Sequence, residues 1–155
     1  MDKANTYREV AAQIAAVIEG EPSRTARYAT AACLLSQAFD HYFWTGFYVR
    51  DGQKDELVVG PYQGTLGCLR IPFGRGVCGT AAATGETQLV DDVHAFPGHI
   101  ACDSRSESEI VVPVFDSAGE LAAVLDVDAT KLAAFDQDDK AGLEAICATL
   151  LEGAE

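Results

Sequence analysis

FWTGFYVRDG, residues 43–52, is where this chain changes from helical to extended patterning. Aromatic and β-branched residues fill positions 43–49, a composition that favours a pleated strand. Asp51-Gly52 then supplies a turn signal. Before this stretch the apolar spacing is helical. Val10, Ile14, Val17 and Ile18 recur at steps of three and four within Tyr7–Glu19, which predicts a helix with these residues on its apolar side. Gly20, Glu21 and Pro22 end it, and Ser23 caps a second helix over Arg24–Phe39, with Tyr28, Ala32, Leu35 and Phe39 on one face. After it, extended segments are expected at 56–59 and 65–71, divided by Gly60, Pro61 and Gly64. A short helix over Val77–Thr84 stops at Gly85, and a strand follows at 87–90. Residues 110–115 and 121–127 form a hairpin around the turn 116–119. Asp136 caps a last helix over Gln137–Leu151, with Leu143, Ile146, Cys147 and Leu150 on one face.

That order predicts a single α+β domain over residues 1–155: helices in 1–40, a sheet with inserted loops in 41–135, and a closing helix in 136–151. The expected architecture is a central antiparallel sheet flanked by the N- and C-terminal helices. With 48% hydrophobic residues the chain can bury a core of that size. The net charge of −13 repels phosphate backbones and anionic lipid, which argues against nucleic acid and membrane surfaces as partners. No apolar run approaches the ~18 residues of a membrane span, and the start MDKANTYREVAAQ has no signal-peptide stretch, so a cytoplasmic location is expected.

In that compartment structural disulfides are rare, and the odd count of five cysteines fits no simple disulfide framework. Cys33 (TAACLL) and Cys147 (AICATLL) sit among aliphatic residues, as packing cysteines do. Cys68, Cys78 and Cys102 sit instead beside Gly, His and acidic residues, in GCLRIPFGRGVCG and HAFPGHIACDSRSESEI. Zinc ligation by these three with His94 and His99 is disfavoured, because structural zinc sites use close cysteine pairs and none is present. No metal and no cofactor are expected. Gly74-Arg75-Gly76-Val77-Cys78-Gly79 matches G-x-G-x-x-G, but the helix after it is too short for a dinucleotide crossover, so it reads as a turn feeding a short helix. Dithiol chemistry remains. Cys78 lies near a helix start beside Arg75. Cys102 lies in the long polar stretch 91–108, after His94 and His99 and three residues before Arg105. Either position can promote a thiolate. An attacking thiolate can become a sulfenic acid that a second thiol condenses with, and both Cys68 and Cys78 are candidates for that second thiol.

Asp103, Glu107, Glu109, Asp126 and Asp128 are the carboxylates to weigh. Asp126 and Asp128 alternate about Val127 and share a strand face; they are either a solvated acidic strand end or a pair in which like charge raises at least one pKa and burial raises it further. Such a group can donate a proton or hold an ammonium. Trp44 and Tyr48, four apart in a strand, share a face too. They form either core or an aromatic wall for a small ligand.

The runs FWTGFY (43–48), GPYQG (60–64), CLRIPFGRGVCGTA (68–81), VDDVHAFPGHIACDSRSESEIVVPV (90–114) and LDVDA (125–129) resemble the free methionine-(R)-sulfoxide reductases, enzymes built on a single GAF domain. The resemblance spans about residues 40–150 and includes all three cysteine contexts, which a generic GAF domain lacks. It implies a GAF-like fold and reduction of free methionine-(R)-sulfoxide, with Cys102 as the catalytic cysteine, Cys68 as the resolving one and Cys78 as an accessory or alternative partner. It places Glu109, Asp126 and Asp128 against the substrate's polar groups, and Trp44 and Tyr48 in the aromatic pocket. It also implies thioredoxin as reductant and a homodimer through the N-terminal helices, as in many GAF domains. The alternative is a GAF module that binds a ligand or senses redox state without turnover; a chain without an attached output domain argues against it.

Overall fold

A computed structural model describes residues 2–99 and 102–155. Four helices, α1 (Lys3–Ile18), α2 (Arg24–Ala38), α3 (Gly76–Thr84) and α4 (Gln137–Thr149), surround six strands, β1 (Trp44–Arg50), β2 (Glu56–Gln63), β3 (Arg70–Pro72), β4 (Gln88–Val90), β5 (Ser108–Phe115) and β6 (Leu121–Ala129). The strands form one sheet in the order β3-β2-β1-β6-β5-β4, antiparallel at every pairing. The expected α+β fold with terminal helices on the sheet is therefore present.

Period-two alternation in the strands builds two cores. Phe47, Ile110, Val112, Val114, Ala123, Leu125 and Val127 point to the face covered by α1, α2 and α4. Trp44, Tyr48, Val111 and Val124 point to the other face, where α3 packs through Val77, Cys78, Ala81 and Ala82. Leu35, Leu125 and Leu143 are fully buried, and each stabilises the fold by about 1.5–3 kcal/mol relative to an exposed position.

Local signals explain most element ends. Ser23 Oγ accepts from the Ala26 amide at 3.1 Å, and Asp136 forms a reciprocal capping box with Asp139. Asp139 also joins the ends of the chain. Its fully buried carboxylate accepts from Tyr7 Oη at 2.6 Å and Lys3 Nζ at 2.7 Å, and lies 3.0 Å from His41 Nε2. Burial pushes this carboxyl upward, but the His41, Lys3 and Tyr7 contacts outweigh it and hold it well below the usual range.

Four expectations need correction. Val17 is 63% exposed, because the stripe Tyr7-Val10-Ile14-Ile18 already fills the buried face of α1. Residues 65–69 are not strand; pairing with β2 through β3 covers Arg70–Pro72, and Gly64 and Gly67 lie in the loop before it. Pro72 is the last residue of that edge strand, a position where its missing N–H costs no ladder bond. Cys33 is partly exposed rather than buried, whereas Cys147 is buried as expected. The expected loop 91–108 contains a one-turn 3-10 helix at Val93–Ala95; its residues 100 and 101 lie outside the described residues.

Candidate active site

The face of the sheet that carries α3 also carries a cleft, lined by Trp44, Tyr48, Cys78, Glu109, Asp126 and Asp128 among others. Strand register builds its floor. Glu109 of β5 is paired with Asp128 of β6, and Val111 with Asp126, so the three carboxyls project from one face of adjacent strands. Glu109 and Asp126 are both only 5% exposed. Burial and then the neighbouring Asp126 and Asp128 charges push Glu109 well above the usual carboxylate range. Burial does the same to Asp128, followed by the charge of Asp126, and burial also raises Asp126. Such a cluster can keep a proton near neutral pH or accept a cation, and Asp126 Oδ1 has no hydrogen-bond partner.

The wall is aromatic. Trp44 and Tyr48 are stacked with ring centroids 5.6 Å apart, and Tyr62 stacks on Trp44 at 4.9 Å. Both Trp44 and Tyr48 belong to the core and also line the cleft. Gly67 lies against them: a Cβ there meets Trp44 Cζ2 at 2.9 Å and Tyr48 Oη at 3.1 Å, so a larger residue would fill the cleft.

The sulfurs lie at the mouth. Cys68 and Cys102 form a disulfide with Cα atoms 5.6 Å apart. Cys102 is exposed and Cys68 half-buried. A clamp that the sequence did not reveal holds their loops together. Trp44 Nε1 donates to the Thr65 carbonyl at 2.8 Å, and Thr65 Oγ1 donates to Asp103 Oδ2 at 2.8 Å. Arg105 donates to Asp103 as well, at 2.7 and 3.0 Å, and its guanidinium lies over Phe43. Hydrogen bonds from Arg105 and Thr65 hold Asp103 well below the usual carboxylate range. The Arg105 charge is thus neutralised by Asp103, which corrects its expected part in activating Cys102.

Cys78 is also corrected as an activated thiol. Its place at the start of α3 suggested a depressed pKa, but it is buried against the acids, with Sγ 4.0 Å from Glu109 Oε2. Burial first, then Asp126 and Glu109, push it well above the ordinary thiol value. It is free and separate from the Cys68–Cys102 pair. With Cys68 and Cys102 bonded to each other, the five-residue zinc set considered above is not available in this state. The G-x-G-x-x-G run serves packing: a Cβ on Gly79 would meet the Pro72 carbonyl oxygen at 2.5 Å, and the nine-residue α3 leads to the antiparallel edge strand β4.

His99 and His94 stand beside the acids. His99 Nε2 is 3.8 Å from Glu109 Oε1, and His94 Nε2 is 3.3 Å from Glu107 Oε2. Burial and then His94 lower the His99 pKa, so His99 lines the cleft as a neutral imidazole near pH 7. The whole arrangement is a cleft with an aromatic wall, an acidic floor and the Cys68–Cys102 disulfide at its entrance.

Comparisons with known proteins agree with that geometry. The GAF domain family matches residues 22–151. Protein YtsP of Bacillus subtilis is 44% identical over 149 residues, covering 96% of this chain and 91% of its own. The free methionine-R-sulfoxide reductase of Escherichia coli is 42% identical over 150 residues, covering 97% of this chain and 89% of its own. The X-ray structure of the free methionine-R-sulfoxide reductase from Neisseria meningitidis, solved in complex with its substrate, superposes with a TM-score of 0.93 at 50% identity, over 99% of this chain and 90% of that one. The chain belongs to the free methionine-(R)-sulfoxide reductases, a family of oxidoreductases built on the GAF domain.

Proposed function

We propose that this protein reduces free methionine-(R)-sulfoxide to methionine, with Cys102 as nucleophile and Cys68 as resolving thiol, and that thioredoxin regenerates the pair in the cytoplasm. The observation that carries the reading is a Cys68–Cys102 disulfide at the mouth of a cleft floored by Glu109, Asp126 and Asp128.

A sulfoxide sulfur becomes electrophilic when its oxygen is protonated. In the reduced protein the Cys102 thiolate attacks that sulfur while one buried carboxylic acid gives a proton to the oxygen. The attack forms a bond between Cys102 Sγ and the substrate sulfur. The hydroxyl then shifts from that sulfur to Cys102 Sγ as the S–S and S–O bonds break, one electron pair making the sulfenic S–O bond and the other staying on methionine as its lone pair. Cys68 then displaces the oxygen, which departs as water, and the disulfide forms. A dithiol of low reduction potential exchanges with that disulfide and restores both thiols. The raised pKa values of Glu109 and Asp128, caused by burial, suit the acid role. The remaining negative charge on the floor suits the substrate α-ammonium, which a residue inside a peptide lacks. Trp44 and Tyr48 take the apolar S-methyl end. No helix among the described residues is long and apolar enough to cross a membrane.

An assay of NADPH consumption with thioredoxin and its reductase tests the reading. The free R epimer should turn over, and the free S epimer and a peptide-bound sulfoxide should not. Equal turnover of the peptide-bound form, or none of the free form, would overturn it.

A further inference from the structure

Cys78 has no step in the reduction as proposed, yet its sulfur faces the floor of the same cleft. Cys78, Glu109 and Asp126 are each 5% exposed, and one ligand atom from each lies within 4.8 Å of the others. Cys78 Sγ is 4.0 Å from Glu109 Oε2. Asp126 Oδ1 is buried with no hydrogen-bond partner. Among the described residues no lysine or arginine pairs with either acid; the imidazole of His99, 3.8 Å from Glu109 Oε1, is the nearest basic group. Two buried acids, one of them with an unpartnered oxygen, and a thiol stand at a mutual spacing that a compact cation of intermediate softness can bridge.

The geometry points to a Zn²⁺ site formed by Cys78 Sγ, Glu109 and Asp126, closed to the substrate ammonium when the ion is bound. A tetrahedral zinc with one sulfur and oxygen ligands holds its donor atoms about 3.4–3.6 Å apart, so the three side chains reach that shell by closing about 1 Å. Water at the open mouth takes the fourth position. The thiol gives up its proton on binding. A thiolate in the donor set selects zinc over magnesium and calcium. Cys68 and Cys102 are not ligands, so the ion binds whether or not they are joined. That separates this site from zinc capture by an attacking thiol. Inhibition by the ion follows only if the reductase reading holds; binding itself rests on the three side chains alone.

The test is a titration of the chelator-treated protein with Co²⁺ as a coloured stand-in, followed by displacement with Zn²⁺. One ion per chain should bind with a thiolate-to-cobalt absorption band in the near ultraviolet, equally in the reduced protein, in the protein with the Cys68–Cys102 disulfide and in Cys102→Ser. Cys78→Ser should lose the band and weaken zinc at least tenfold. Glu109→Gln should keep the band and weaken zinc at least tenfold as well, so a folding defect in one variant leaves the other to decide. No thiolate band in the unaltered protein overturns the site, as does a band that survives Cys78→Ser or disappears when the disulfide forms. Binding is read without substrate, so a protein that failed as a reductase would still decide this question.

Discussion

Asp126→Asn should damage catalysis and stabilise the fold at the same time. The substitution keeps shape and removes one charge from a floor where Glu109, Asp126 and Asp128 crowd together. For catalysis, the substrate ammonium loses one of its charge partners in a buried cleft. Losses of that kind run about 2–5 kcal/mol; with two carboxyls remaining the lower end applies, about 2 kcal/mol, or about thirtyfold in kcat/KM. An anchoring role puts this in KM, and a proton-donor role puts it in kcat. For stability the sign is opposite. Burial raises the Asp126 pKa above its unfolded value. The folded state therefore binds the extra proton, its contribution is complete below the unfolded pKa, and it is lost as pH rises through the folded value. Asn has no such loss, so the melting temperature of the variant should exceed that of the parent by a margin that grows from about pH 4 towards neutral. Steady-state kinetics with free methionine sulfoxide and melting curves across pH measure both. An unchanged kcat/KM together with a lower melting temperature at neutral pH would refute the reasoning.

Other outcomes follow from the same geometry. Cys68→Ser should release one equivalent of methionine per chain and then stall with thioredoxin, as read by quantifying methionine in single and multiple turnover. Thr65→Val removes the hydrogen bond to Asp103, loosens the loop that carries Cys68, and should slow disulfide closure by about tenfold, measured by rapid-quench thiol trapping. Tyr7→Phe leaves Asp139 and Tyr42 each short of a buried hydrogen bond, which costs about 1.5–3 kcal/mol and lowers the melting temperature by about 3–12 °C. That deficit should narrow in acid: Asp139 has a depressed folded pKa, so its contribution is present above the unfolded value and lost as pH falls.

Much of the fold was legible because each element carried its own period. The hairpin 110–127 and the helices bounded by Ser23 and Asp136 appear with boundaries within a few residues of those expected. The acidic floor was half-legible: the Asp126–Asp128 alternation gave one strand, but the approach of Glu109 depends on the β5–β6 register. Three features were not legible. Thr65 and Asp103 are 38 positions apart with no shared pattern, so their hydrogen bond appears only when two loops converge. The Lys3–Asp139 ion pair joins opposite ends of the chain in the same way. Cys78 misled for a physical reason. A helix N-terminus lowers a thiol pKa only where the surroundings permit, and burial beside two acids reverses the effect.

The most direct measurement is a single turnover of the fully reduced protein with one equivalent of free methionine-(R)-sulfoxide, followed by alkylation and peptide mass spectrometry. The account predicts methionine and a Cys68–Cys102 crosslink in equal amounts, with Cys78 recovered as the alkylated thiol. A crosslink through Cys78, or methionine released with Cys102 still alkylated as a free thiol, would contradict it.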